Sequence, residues 1–256
     1  MAERPVYHLP AGLLMRLGLD WLLARRRDFS ADARACLRSG TTPVRVAGGE
    51  NIPVGGACLV TFNHYSRPGF QIYWLVMALT AALRLGAGQR LGAVVTGELT
   101  MPGSWLAPVG RPFSRVLLRR MAQMYGFVSM PPMPPRQCDV DARARSVRAV
   151  LAWLDQPGAP VLLLAPEGCD QPGGRLATPP EGAGRFMALI TARGLPVLPV
   201  AGWEGEGALQ LRFGRPYHLA VPAGLSRDQL DRQISTLVMS EIAALLPDFL
   251  RGEFQA

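Results

Sequence analysis

The sequence predicts an α/β domain with a mixed, largely parallel central sheet flanked by helices. Short apolar runs, often β-branched, alternate with stretches of helical periodicity, which is the order typical of this class. Hydrophobic residues make up 49% of the 256 residues, enough for a large core. The predicted strands are 44–46, 57–62, 93–96, 127–129, 161–165, 197–201 and 209–213, and the predicted helices are 70–85, 112–125, 140–155, 182–193 and one from about 226 to 246.

An amphipathic helix is predicted at residues 11–24, ahead of the α/β domain. Leu14, Leu17 and Trp21 recur at helical spacing, and three arginines follow directly. The segment is too short and too interrupted by charge to cross a bilayer, which needs roughly 20 apolar residues. It fits either a helix lying on a membrane surface or an ordinary helix packed on the core. We therefore divide the chain into an N-terminal membrane-associated helical segment, 1–41, and an α/β domain, 42–256.

The net charge and the cysteine spacing limit which binding partners and which cellular compartment are expected. The net charge is +8 and every basic residue except histidine is arginine, which suits anionic lipid headgroups, acyl carriers or nucleic acid, or is simply a solvated surface. No motif or aromatic–basic interleaving supports nucleic-acid binding. The four cysteines are irregularly spaced and the N-terminus lacks a signal-peptide pattern, so reduced thiols in the cytoplasm are expected.

His64 is the first candidate for chemistry, because it directly follows the predicted strand 57–62. Active sites of α/β sheets usually form at the carboxyl ends of strands. A neutral imidazole placed there can take a proton from a hydroxyl group. A structural histidine that caps a loop would have the same sequence context, so both interpretations stay open.

Glu167 and Gly168 are the second candidate, since they follow the predicted strand 161–165 in an Ala-Pro-Glu-Gly segment. A carboxylate beside open backbone can bind a polar headgroup or orient a loop, although Pro-Glu-Gly is also ordinary turn chemistry. The serine-hydrolase elbow, the dinucleotide fingerprint and the Walker loop are absent. Three scattered histidines argue against a metal site.

In their order along the chain, six fragments resemble the phospholipid/glycerol acyltransferase family, which includes the lysophosphatidic acid acyltransferases. The clearest are Asn63-His64-Tyr65-Ser66, similar to the start of the family's NHxSxxD motif, and Pro166-Glu167-Gly168, similar to the core of its FPEGTRS motif. The others are 46–53, Glu98-Leu99 with Pro102-Gly103, 194–200 and 213–216. The resemblance implies a glycerolipid acyltransferase-like fold for residues 44–246.

The resemblance also implies an activity. In the family, the histidine deprotonates an acceptor, which attacks an acyl thioester of coenzyme A or acyl carrier protein, and no cofactor beyond this co-substrate is needed. His64 would be the base, and the implied substrate-binding residues are Asn63, Ser66, Arg67, Glu167, Gly168, Arg175 and Arg185. Expected partners are the thioester donor, a lipid or other acyl acceptor, acyl carrier protein and a membrane surface. The implied location is cytoplasmic, peripheral to the inner face of the membrane.

Departures from the family pattern predict an altered acceptor. Gly69 stands where the family has the aspartate that orients its histidine, and no acidic residue lies between Glu50 and Glu98. Asp170 stands where a basic residue is expected, and it should repel a phosphate. We therefore expect an acceptor other than simple lysophosphatidic acid. The alternative is a catalytically degenerate protein that binds lipid or acyl chains. Gly69→Asp should raise the rate, unless residue 69 has a positive φ.

Overall fold

The computed structural model describes residues 7–39, 43–99, 107–133, 136–222 and 224–255. All seven predicted strands are confirmed, with ends that differ from the predictions by up to four residues. The strands are β1 Val44–Ala47, β2 Cys58–Phe62, β3 Gln89–Thr96, β4 Val128–Met130, β5 Ala159–Leu164, β6 Val197–Gly205 and β7 Ala208–Phe213.

The strands form one mixed sheet in the order β1-β7-β6-β2-β5-β3-β4. The pairs β6–β2, β2–β5, β5–β3 and β3–β4 are parallel, whereas β7 is antiparallel to β6 and β1 runs parallel to β7. The predicted class, a mixed and largely parallel sheet flanked by helices, is therefore confirmed. The central strand β2 is buried along its whole length, which explains why it reads as a continuous apolar run.

Helices cover both faces of the sheet. They are α1 Ala11–Leu22, α2 Phe29–Ser39, α3 Ile72–Leu83, α4 Ala107–Tyr125, α5 Val140–Leu154, α6 Ala183–Thr191 and α7 Arg227–Ala243. The sequence did not predict α2, whose pattern is largely polar apart from residues such as the fully buried Ala33 and Cys36. The predicted start of α7 is confirmed, because Ser226 and Gln229 form a reciprocal capping box.

Alternation along β2 divides the core into two layers. Val60 packs in the layer that contains α2 and α3, and Leu59 packs in the layer that contains α6 and α7. Both side chains are fully buried. The two apolar layers hold the sheet rigidly, so the loops that leave its strands start from fixed positions.

The predicted stripe on α1 needs correction, because its members do not share one exposed face. Leu17 packs against the core, and the Trp21 indole donates to the Leu117 carbonyl of α4 at 3.4 Å. The exposed apolar side is instead formed by Met15, Leu19 and Leu22, which are 72%, 54% and 66% exposed. The helix is apolar on two sides, and the spacing alone did not show which side meets the domain.

Among the helices of the described residues, none combines the length and the apolar character that crossing a bilayer requires.

Candidate active site

The two candidate segments leave the sheet at the same edge. β2 and β5 are parallel neighbours, with Thr61 opposite Leu164, so the residues that follow them run side by side. His64 follows β2, and Glu167 follows β5. The sheet therefore brings together the two motifs that are about a hundred residues apart in sequence.

Glu167 joins these two segments from a buried position. Its side chain is only 2% exposed. Oε2 accepts a hydrogen bond from the His64 backbone N–H at 2.7 Å, and Oε1 accepts one from the Ala177 backbone N–H at 2.9 Å. Burial raises the pKa of Glu167, although the two backbone donors oppose the shift. Both oxygens are thus used inside the protein, which favours a structural role over the predicted contact with substrate.

His64 meets a carboxylate that the sequence did not lead us to expect there. Its Nδ1 lies 3.0 Å from Oδ1 of Asp170. Nδ1 is buried, and it lies within hydrogen-bond distance of this carboxylate but without the alignment of a regular hydrogen bond. The His64 imidazole, helped by the Ser66 hydroxyl, holds the pKa of Asp170 below its usual value. A carboxylate therefore does lie beside the imidazole, supplied by the loop after β5.

The loop that carries Asp170 lies tightly on the loop that carries His64. Gly174 has φ +67°, and a Cβ there would come within 2.8 Å of the Tyr65 ring and 3.1 Å of the Ser66 carbonyl oxygen. Only glycine allows this approach at this backbone conformation. The close contact keeps the two loops in register beside His64.

Residue 69 is poorly suited to the aspartate of the family pattern. Gly69 has φ +83° and lies in a turn closed by the hydrogen bond from Phe70 N–H to the Arg67 carbonyl, 2.9 Å. A Cβ at this position would lie 3.1 Å from Nη1 of Arg67. An L-aspartate would be strained here whatever its charge could offer.

Two further predicted substrate contacts hold the His64 loop to β6 instead. The Asn63 amide is 1% exposed and bonds both backbone groups of Gly202, donating at 2.9 Å and accepting at 2.8 Å. The Arg67 guanidinium makes a two-pronged ion pair with Glu204, with one contact of 2.6 Å. Their polar groups are committed to the protein, so we assign positioning roles to both.

The remaining predicted residues differ in their availability. Arg175 is exposed and makes no ion pair with any residue in the described ranges. Arg185 lies 3.4 Å from Glu181 and 3.9 Å from Asp228, so its charge is partly balanced. Ser66 is half-buried beside Asp170. These three can still face a ligand.

An apolar cavity of about 160 Å³ opens at the same strand edge. Gly168 lines it, whereas His64 and Glu167 are not among its lining residues. Arg143 also lines the cavity, donating to the Pro132 carbonyl at 3.1 Å, and burial lowers its pKa. The apolar lining is mainly Val94, Val95, Met130, Met133, Val147, Leu164, Ala165 and Phe186.

A second charged cluster follows β3. Glu98 is 3% exposed and accepts from Arg136 at 3.0 Å and from Arg115 at 2.5 Å. Arg136 first and Arg115 second lower the pKa of Glu98 to about 2, against the opposing effect of burial. The charge of Arg136 is balanced by Glu98 and Asp139. The predicted Pro102-Gly103 fragment lies outside the described residues.

The contact of Asp170 with His64 is what sequence reasoning missed. Asp170 was interpreted only as a charge that opposes a phosphate. The signal that could have revealed this contact was a pair of departures: an acid is missing at Gly69 and an acid is gained at Asp170, in two motifs that parallel strands bring together.

Comparison with known proteins finds a likeness in structure. No protein-family profile matches the chain, and no curated protein matches it. Among solved structures, the chain is similar to the 1-acyl-sn-glycerophosphate (LPA) acyltransferase PlsC from Thermotoga maritima, at 18% identity, over 85% of this chain and 78% of that one, with a TM-score of 0.48.

Proposed function

We propose that the protein transfers an acyl group from a coenzyme A or acyl-carrier-protein thioester to a hydroxyl or amine acceptor, with His64 as the base. One observation carries the proposal: in an acyltransferase-like order of motifs, the histidine at the end of β2 has its Nδ1 against a carboxylate, 3.0 Å away. An imidazole engaged at Nδ1 has Nε2 left to accept a proton. This is the arrangement that general-base catalysis requires.

The reaction then follows ordinary acyl-transfer chemistry. Nε2 of His64 takes the proton from the acceptor as its oxygen or nitrogen attacks the thioester carbonyl. The tetrahedral intermediate collapses with cleavage of the carbon–sulfur bond. The imidazolium returns the proton to the leaving thiolate, so the base is regenerated.

The apolar cavity beside Gly168 suits part of an acyl chain. Its wall is mostly aliphatic and thioether groups, which bind hydrocarbon without requiring hydrogen bonds. It opens at the strand edge from which His64 also emerges. We propose that the donor chain enters this cavity while its thioester lies outside, near the imidazole.

The acceptor is proposed to lack a phosphate monoester. Arg67, Arg136 and Arg185 each face carboxylates, which leaves Arg175 as the one predicted substrate-binding arginine without an ion pair in the described ranges. The backbone N–H groups of Gly182 and Arg185 at the start of α6 are not available to a phosphate either. They donate to the Asp231 carboxylate at 2.7 and 2.8 Å. Asp170 adds a negative charge beside the base.

A peripheral position on the cytoplasmic side of the membrane is part of the proposal. Met15, Leu19 and Leu22 of α1, with Phe113 and Val116 of α4, form what we call the apolar surface patch, and each is more than half exposed. The Arg120 guanidinium, one turn after Val116, donates to the Leu22 carbonyl at 2.9 Å, so the two helices present the patch together. The neighbouring arginines of both helices suit anionic headgroups.

Turnover of a defined thioester tests the function. Purified protein is given palmitoyl-CoA or palmitoyl-acyl carrier protein, with monoacylglycerol, a long-chain amine or lysophosphatidic acid as acceptor, and acylated product is measured by mass spectrometry. We expect acylation of an uncharged or amine acceptor and little of lysophosphatidic acid. Clear preference for lysophosphatidic acid would overturn the acceptor proposal. Binding of palmitoyl-CoA without any turnover would favour the degenerate binding function instead.

A further inference from the structure

We propose that Asp170 is the positioning residue of His64, taking the role that the family pattern gives to the position of Gly69. The inference rests on the proposed function, because it concerns how the base is held ready for proton transfer. It adds a residue from the loop after β5 to a task that the family pattern places in the loop after β2. Compared with the family pattern, a carboxylate is absent at residue 69 and present at residue 170, in the loops that follow the neighbouring strands β2 and β5.

The contact has the properties that positioning requires. Nδ1 of His64 is shielded from solvent and lies 3.0 Å from Oδ1 of Asp170, a hydrogen-bond distance that a small turn of either side chain would align. The Asp170 side chain is 65% exposed, so solvent can keep it ionised. The His64 imidazole first, and the Ser66 hydroxyl to a smaller extent, lower the pKa of this carboxylate.

The loop holds Asp170 in place from both sides. Three residues earlier, Glu167 is fixed by its two backbone hydrogen bonds, one of them to His64 itself. Four residues later, Gly174 packs against the Tyr65 ring and the Ser66 carbonyl. The carboxylate therefore approaches the imidazole because the backbone brings it there, rather than through a freely rotating surface side chain.

This arrangement has a definite chemical consequence. A carboxylate at Nδ1 favours the tautomer that carries its proton on Nδ1, and Nε2 then holds the lone pair that attacks the acceptor proton. When Nε2 takes that proton, the carboxylate stabilises the imidazolium until the thiolate leaves. The comparable aspartate of serine proteases acts in this way without accepting the proton itself.

The tautomer of His64 tests the inference without any substrate. Nitrogen-15 spectra of the parent, Asp170→Ala and Asp170→Asn are recorded at about pH 8, where histidine is neutral. The control is Asp155→Asn, another partly exposed carboxylate in an ion pair, 2.7 Å from Arg193. We expect the Nδ1–H form of His64 in the parent and in the control, and a shift towards Nε2–H in both Asp170 variants. An Nε2–H parent, or a tautomer indifferent to residue 170, would overturn the inference.

Kinetics separate this inference from the proposed function. If acyl transfer occurs, Asp170→Ala should lower kcat at least about tenfold with little change in KM, because orientation rather than binding is lost. Activity that needs His64 but ignores Asp170 would overturn the inference and leave the function standing. If the parent shows no turnover but its His64 tautomer still depends on Asp170, the inference stands and the proposed function fails.

Discussion

The Glu167 carboxylate accepts a hydrogen bond from the backbone N–H of His64 at 2.7 Å, which holds the loop after β2 against the loop after β5. A buried carboxylate whose two oxygens each accept a hydrogen bond from a backbone N–H ties together the segments that carry those N–H groups. In this chain the Pro-Glu-Gly segment therefore holds His64 through Glu167, while Pro166 and Gly168 on either side line the apolar cavity.

Replacing the Glu167 carboxylate should destabilise the protein. Glu167→Gln leaves one acceptor oxygen and turns its amide NH2 towards the other backbone N–H, so one buried donor loses its partner. We expect a loss of roughly 1–3 kcal/mol in the free energy of unfolding, measured by urea denaturation. Glu181→Gln is the matched control, because Glu181 has an exposed side chain and only a 3.4 Å ion pair. Equal stability of the two variants would contradict this structural role of Glu167.

Much of this account was open to prediction from the sequence. The seven strands were found because buried parallel strands are short apolar runs, and His64 was found because it follows one of them. The Asp170 contact was not, since it depends on how two loops pack across adjacent strands. The exposed side of α1 was missed because the helix is apolar on both sides, and only tertiary contacts decide which one is covered.

The Glu98 cluster predicts a specific dependence of stability on pH. The folded-state pKa of Glu98 is lowered to about 2, so its contribution is fully present above its ordinary value and is lost as pH falls towards 2. Glu98→Gln should therefore destabilise the protein by roughly 1–3 kcal/mol at pH 7. The difference from the parent should shrink below about pH 4.5.

Urea denaturation of both proteins across the acid range measures this difference. The control is Glu206→Gln, whose exposed ion pair with Arg45 should contribute little at any pH. A Glu98→Gln difference that stays constant from neutral to acid pH would argue against the paired carboxylate.

The apolar surface patch predicts binding to anionic membranes. Changing Met15, Leu19 and Leu22 together to Glu should reduce co-sedimentation with phosphatidylglycerol vesicles several-fold, and salt should weaken the binding of the parent. Val54→Glu is the control, because Val54 is an apolar residue fully exposed elsewhere on the surface. If the triple variant sediments like the parent and the control, α1 is not the membrane contact.

An aspartate placed at residue 69, where the family pattern has one, should not raise the rate of acyl transfer. Gly69 has φ +83°, so Gly69→Asp should destabilise the protein by about 1–2 kcal/mol and bring no gain in rate. Gly69→Ala separates the backbone strain from the effect of the new charge, and we expect it to be destabilised similarly. A clear rate increase in Gly69→Asp alone would show that position 69 can still orient His64.

The most direct test of the central claim is the rate of thioester acyl transfer in His64→Ala, measured beside His218→Ala, which removes an exposed histidine elsewhere. General-base catalysis is typically worth about a hundredfold to ten-thousandfold. If His64 is the base, His64→Ala loses about that much of kcat while the thioester still binds, and His218→Ala keeps the parent rate. An active parent whose rate is unchanged in His64→Ala would contradict the account.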